Sequence, residues 1–307
     1  MSNAYYNVIK NLWNRDNNNN SFSPNEFKEK LSKENPLFAG IAANDSKDLI
    51  YFLLDRLHNE LNITKKENKY LFNEIDFYDQ LNEQLMLNIF TNEFKMKYNS
   101  IISNLFYGTL ETKSQCKKCN QVKYNFQIFS FVEFPLERVN QYCFNTGKRN
   151  DYSMFNNKNP DIDLYECFEY QNTSELMTGD NPMYCNICNS CSDSLISSYL
   201  YSTPNYLIIN LNRGRGAVYE CNVNFPDQLN LFNYVSFKME NTVYELYAVI
   251  CHIGPSSMSG HFIAFCKNKI DIKWYKYNDA FVTLCENPNE YRSGMPYILF
   301  YKVILNT

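Results

Sequence analysis

Apolar residues recur at helical spacing through the first hundred positions, and then change to the spacing of strands. Tyr6-Asn-Val-Ile-Lys-Asn-Leu-Trp13 puts its apolar side chains three and four apart, as an amphipathic helix does. Ser23-Pro24-Asn25-Glu26 reads as a helix start, with Ser23 as N-cap and Pro24 in the first turn. Residues 48–61 form the strongest amphipathic pattern in the chain, and 81–98 a further one. From about Ser103 the chain favours strands: 122–134 is rich in β-branched and aromatic residues. Further strands are expected at 197–211, 244–252, 261–266, 273–277 and 297–303. Residues 137–162 are polar and without a period, which predicts a long loop or insertion. Helices first and strands later indicate an α+β fold, not alternating α/β units.

Composition narrows the classes. The 307 residues are 45% hydrophobic and 16% aromatic, enough for a proper core, and they carry a net charge of −4. No basic surface is implied, which argues against a nucleic-acid partner. No apolar run approaches the roughly 18 residues of a membrane span, and the start is not a signal peptide. Asn17 to Asn20 are a biased surface stretch with no chemistry of their own.

The eleven cysteines do change the picture. They are odd in number and unlike the dense framework of a small secreted protein, so a reducing compartment, cytoplasm or nucleus, is expected. Cys116-Lys-Lys-Cys119 and Cys185-Asn-Ile-Cys188 are two C-x-x-C knuckles. Together they offer the four sulfurs that a structural zinc prefers. The plainer alternative is four ordinary reduced thiols or one disulfide. Cys191 extends the second knuckle to C-x-x-C-x-x-C and leaves its register open.

Histidine is scarce: His58, His252 and His261 are the three. His58 falls inside the 48–61 helix and reads as structural. His261 follows Gly260 and opens a strand, while Trp274-Tyr-Lys-Tyr-Asn278-Asp279 lies downstream. An antiparallel pairing of the two segments would bring Asn278 or Asp279 to the imidazole, as the third group of a triad. A hydrogen-bonded structural histidine is the alternative. His252 precedes a Gly-Pro-Ser-Ser-Met-Ser-Gly loop, which is either an ordinary turn or a flap over a channel.

Taken in order, these segments resemble the ubiquitin-specific protease family, which are papain-like cysteine proteases. Phe38-Ala-Gly-Ile-Ala-Ala-Asn-Asp45-Ser-Lys-Asp-Leu49 and the following Leu-Leu-Asp-Arg-Leu-His58 are similar to the family's F-x-G-x-x-Q-Q-D-A-x-E-F and L-L-D-x-L-H. Phe106-Tyr-Gly108, the two knuckles, Thr203-Pro-Asn-Tyr-Leu-Ile-Ile-Asn-Leu-Asn-Arg213 and the Gly260-His261-Phe262 box follow in the family's order, over about 6–302.

The resemblance implies one palm–thumb–fingers domain over 1–307, incomplete at its N-terminus. A helical thumb remnant would cover 1–102. Fingers with a zinc ribbon would take 103–135 and 164–213, and the palm with its histidine box 214–307. It implies His261 as general base, Asn278 as the residue orienting it and Asp279 as a supporting neighbour. Asp45, His252, Gly260 and Phe262 would border the channel for the ubiquitin tail. Zinc would be structural, and ubiquitin or ubiquitinated proteins the partner, with no nucleic acid and no membrane.

The family's nucleophile sits in a G-N-T-C-Y box, yet no cysteine precedes Cys116 and no G-N-x-C occurs. The expectation is therefore a deubiquitinase piece cut after its nucleophile helix and inactive alone. The alternative is a dead, ubiquitin-binding pseudo-enzyme or scaffold. Ala43 and Asn44 stand in place of the family's two glutamines, and Gly214 where an aromatic is usual.

Overall fold

A computed structural model describes residues 1–13, 22–40, 44–64, 82–149, 159–214, 219–236, 241–256 and 259–305; the side chains of 255, 256 and 259 are not described. The Asn17–Asn20 run, Ala43 and the centre of the 253–259 loop lie outside these residues.

The helical part holds α1 (Ser2–Trp13), α2 (Asn25–Glu34), α3 (Ser46–Leu61), α4 (Glu83–Lys97) and α5 (Ile101–Phe106). Asp45 caps α3, its carboxylate accepting from the Lys47 amide at 2.8 Å, so the helix begins two residues before its apolar pattern does. Asn82 caps α4 in the same way through the Leu85 amide. The start of α2 differs from its sequence signature. Pro24 occupies the cap with no side-chain bond, and Ser23 is one residue too early to serve.

His58 is buried on α3. Its Nδ1 meets the Ser100 hydroxyl at 2.7 Å, and its ring packs on Tyr98 and Tyr107. It joins α3 to the α4–α5 corner, as a structural histidine does.

Two sheets follow. The smaller has the order β2 (Val122–Phe129), β1 (Gly108–Cys116), β8 (Ser194–Ser202), β5 (Ser174–Met177), all antiparallel. A short hairpin of β6 (Met183–Cys185) and β7 (Ser190–Ser192) accompanies it.

The larger sheet runs β15 (Phe281–Cys285), β14 (Trp274–Asn278), β13 (Ser259–Lys267), β12 (Val243–Ser256), β16 (Pro296–Val303), β9 (Tyr206–Asn212), β3 (Val132–Pro135). β11 (Gln228–Asn230) adds to β12, and β4 (Ile162–Asp163) pairs with β10 (Val223–Asn224) in parallel. β3 and β9 therefore belong to the large sheet, although their position in the chain groups them with the fingers. Sheet membership is decided by β16, which pairs with β9 from about ninety positions downstream.

One core lies on the face of the large sheet covered by α6 (Leu136–Asn145), α7 (Leu164–Gln171) and α8 (Asn289–Arg292), with Leu136, Val139, Leu164, Phe265 and Leu299 among its buried residues. A smaller core, around Leu54, Leu57, Ile102, Tyr297 and Ile298, joins α3 and α5 to that sheet.

α6 corrects the reading of 137–162 as one loop. Leu136, Val139 and Cys143 bury a narrow apolar stripe, three residues of ten, which polar neighbours conceal in the sequence. Residues 150–158 lie outside the described ones.

Candidate active site

β13 and β14 are antiparallel, and their last ladder pair toward the site is Ala264 with Tyr277. Just beyond it His261 and Asn278 face one another. His261 Nε2 lies 2.7 Å from Asn278 Oδ1. An amide oxygen only accepts, so Nε2 carries the proton and donates it, which leaves the Nδ1 lone pair bare. Asp279 Oδ2 stands 3.6 Å from the same nitrogen.

Asp279 takes φ 51°, a left-handed conformation that aspartate tolerates, in the two-residue turn joining β14 to β15. The turn is what aims Asn278 and Asp279 together. The His261 side chain is 45% exposed, so the bare nitrogen belongs to an open site and not to the core. The structure thus brings together His261, Asn278 and Asp279.

On the opposite face of the β12–β13 ribbon lies a second group. Tyr297 donates its hydroxyl to Asp45 Oδ2 at 2.6 Å, while Asp45 Oδ1 caps α3. Burial, followed by the carboxylate beside it, pushes the Tyr297 phenol far above its ordinary value. The Phe262 ring packs, tilted, between Tyr297, at 5.5 Å, and His252, at 5.0 Å. His252 is only 5% exposed and lies beneath the backbone instead of on the open surface. Burial lowers its pKa, with Asp45 opposing.

Tyr297 and the buried Arg213 carry no local sequence signal of their roles. The Arg213 guanidinium donates to the carbonyls of Pro296 at 3.1 Å, Tyr219 at 3.2 Å and Cys221 at 2.9 Å, tying the end of β9 to the start of β16. Lys47, Asn210 and Asn212 converge on Glu133 and hold the start of α3 to β3 and β9. At Gly214 the backbone is left-handed, and an added Cβ would meet open space.

The two knuckles meet at the far end of the small sheet. All four sulfurs of Cys116, Cys119, Cys185 and Cys188 lie within 4.8 Å of one another. Cys116 and Cys188 are 3.9 Å apart, and Cys119 and Cys185 3.6 Å. A tetrahedral ion with metal–sulfur bonds of about 2.3 Å has sulfur–sulfur edges of roughly 3.8 Å, so the donor set fits a metal ion.

Each knuckle ends in an asparagine with left-handed backbone, Asn120 at φ 60° and Asn189 at φ 48°, which turns both thiols inward. Backbone amides, Cys119's first, hold the Cys116 thiol down to about 6. Desolvation and the neighbouring thiols push Cys188 up to about 12. Four sulfurs crowded this closely can all be thiolates only with a cation among them. Cys191 pairs with Tyr184 in the β6–β7 hairpin and stands outside the cluster, which settles the register at Cys185 and Cys188.

The other thiols are placed for packing. Cys143, Cys167, Cys221, Cys251 and Cys285 are buried, and burial raises the pKa of each. Cys266 is raised likewise, to about 11, and its side chain alternates to the face opposite His261. Cys251 is pushed up to about 12, and its Sγ donates to the Tyr291 carbonyl.

The profile of the family described as "Ubiquitin carboxyl-terminal hydrolase" matches residues 1–301. The chain belongs to that family. Among its relatives, ubiquitin carboxyl-terminal hydrolase 2 of Gallus gallus is 27% identical over 305 residues, covering 96% of the chain and 78% of that protein. Ubiquitin carboxyl-terminal hydrolase 21 of Rattus norvegicus is 25% identical, covering 99% of the chain and 53% of that protein. The chain spans less than half of several other relatives.

Among solved structures, the SAGA DUB module Ubp8/Sgf11/Sus1/Sgf73 bound to monoubiquitin superposes with a TM-score of 0.71 at 22% identity, over all of the chain and 59% of its counterpart. The same module bound to ubiquitin aldehyde gives 0.69 at 21% identity, over all of the chain and 60% of its counterpart. The hydrolase-family chain thus has the α+β fold of the Ubp8 deubiquitinating enzyme, with a four-cysteine cluster consistent with a zinc ribbon. Among the described residues no helix is long and apolar enough to cross a membrane.

Proposed function

We propose that the chain is the ubiquitin-binding body of a deubiquitinating thiol hydrolase. It supplies the base and its orienting amide but no nucleophile. The reaction served is hydrolysis of the bond after the C-terminal glycine of ubiquitin. The observation that carries this is the 2.7 Å contact between His261 Nε2 and Asn278 Oδ1 beside an open surface.

Nδ1 of His261 would take the proton of an attacking thiol, and the pair with Asn278 keeps that nitrogen free to do so. Asp279, 3.6 Å from Nε2, would favour the imidazolium that forms. No thiol of this chain is read as serving that base: four sit in the metal cluster, Cys191 lies on the small β6–β7 hairpin, and the rest are buried or turned away. These 307 residues alone therefore hold ubiquitin without cleaving it, which is also how a binding pseudo-enzyme would behave.

Asp45, Gly260 and Phe262 are assigned to the border of the tail channel, supported by their place on β12–β13 and at the start of α3. His252 reaches that border only through Gly260. The metal is assigned as zinc with a structural role, because four thiolates leave no position open for substrate. Eleven free thiols suit cytoplasm or nucleus. The ubiquitin-bound neighbours and the acidic net charge favour ubiquitin over nucleic acid as partner.

Incubation with a ubiquitin–fluorophore amide, beside calorimetric titration with ubiquitin, tests the reading. Binding without turnover is expected. Turnover that disappears on His261→Ala would show a thiol in this chain that the reading denies, and absence of binding would remove the function.

A further inference from the structure

Gly260 carries an extended backbone that any residue could adopt, so its lack of a side chain must answer to space. A Cβ at 260 would stand 1.8 Å from His252 Nε2, 2.4 Å from its Cε1 and 2.9 Å from its Cδ2. The ring of His252 thus fills the volume that any other residue at 260 would need. That ring is 5% exposed, and its Nδ1 is buried with no hydrogen-bond partner among the described residues. An orphaned buried polar atom is destabilising, and a residue that served only to pack would be better made of carbon.

The place of this contact matters. His252 opposes Phe262, and Ile253 opposes His261, on the β12–β13 ladder. Past that rung the register shifts before Ser256 meets Ser259. His261 therefore stands on the last regular rung, and Gly260 lies in the irregular stretch next to it. On the His252 side the backbone at 260 rests on the imidazole. A small displacement at 260 is transmitted through one peptide unit to His261, whose bond to Asn278 lies on the opposite face.

We infer that His252 is a positioning residue for His261. Its neutral ring is the stop against which Gly260 seats, and that seat fixes the height of His261 Nε2 relative to Asn278 Oδ1. The inference rests on the reading of His261 as a base held in one tautomer. It adds that the hold comes from two sides: an amide on one strand and a buried imidazole on the other. Phe262, packed on both His252 and Tyr297, braces the ring from the side.

Three histidines make the test direct. The whole chain is labelled with ring-¹⁵N histidine, and the three pairs of nitrogen shifts are followed with pH up to the plateau at which they no longer change. Wild-type His261 is expected to show a protonated Nε2 and a bare Nδ1. In His252→Ala its two shifts should converge toward the averaged values of a free imidazole, with His58 unmoved as the control for folding. His252→Phe, which restores a ring under Gly260, should recover the wild-type pattern. Gly260→Ala, which drives the ring from its seat while His252 remains, should converge as His252→Ala does.

Unmoved His261 shifts in folded His252→Ala or in folded Gly260→Ala overturn the inference, and so does His252→Phe that stays converged. Should His252→Ala fail to fold, Gly260→Ala decides. Averaged shifts in the wild type would instead sink the reading of His261 itself, so the two failures are distinct.

Discussion

Tyr297 and Asp45 are 252 positions apart, and the Tyr297 hydroxyl donates to the Asp45 carboxylate at 2.6 Å. One Asp45 oxygen caps α3 and the other receives this bond, so a single carboxylate ties the helical part to the first rungs of β16. The Tyr297 ring packs on Phe262, so the residue that holds Asp45 also touches the β12–β13 ribbon that carries His261.

Tyr297→Phe should lower stability by about 1.5 kcal/mol, the loss of a hydrogen bond to a charged acceptor, with the ring packing kept. Urea unfolding would measure it, as a lower midpoint with unchanged slope. Because the tail channel is assigned to Asp45, ubiquitin affinity should fall several-fold in the same variant. No change in either quantity would show that the bond does not hold Asp45 in place.

Removal of the metal should act on the small sheet first. The four thiols link the β1–β2 turn to the β6–β7 hairpin. Elemental analysis of the purified chain is expected to give about one zinc, and chelation should release it with a lower melting temperature. Cys119→Ser should mimic the chelator, whereas Cys191→Ser should leave the metal content unchanged. A folded chain without metal would refute the ribbon.

Stability should decline as the solution becomes acidic below about pH 6.5. Burial lowers the pKa values of both His58 and His252 below the ordinary 6.5, with Asp55 and Asp45 respectively opposing. The unfolded chain therefore takes up more protons than the folded one as pH falls through 6.5. The stabilisation is complete above that value and is lost toward the lower folded pKa values. Thermal melts at pH 7.5 and 5.5 measure the difference, and His58→Gln, which keeps a partner for Ser100, should shrink it. A melting temperature insensitive to this change would contradict the buried neutral state.

Much of this was written locally. The 3.6-residue period of α1, α3 and α4, the strand patterns of β12 and β13, and the two C-x-x-C knuckles are short-range features that lie where the sequence puts them, whereas the runs 122–134 and 197–211, each read as one strand, are β2 with β3 and β8 with β9, split between the two sheets. The meeting of His261 and Asn278 followed from two strands close in sequence, which a short turn makes antiparallel.

What was hidden depends on distant partners. The stripe of Leu136, Val139 and Cys143 is too narrow to declare a helix within polar surroundings. β9 reads equally well as part of either sheet until β16 pairs with it. Nothing around His252 says that its ring lies under Gly260, eight positions later across a bent ribbon.

The most direct measurement is calorimetric titration of the chain with intact ubiquitin and with ubiquitin lacking its last two glycines. The account predicts binding of the intact protein, weakened about tenfold or more by the truncation, because the open surface beside His261 is read as receiving that end. Equal affinity for the two forms, or no binding of either, would contradict it.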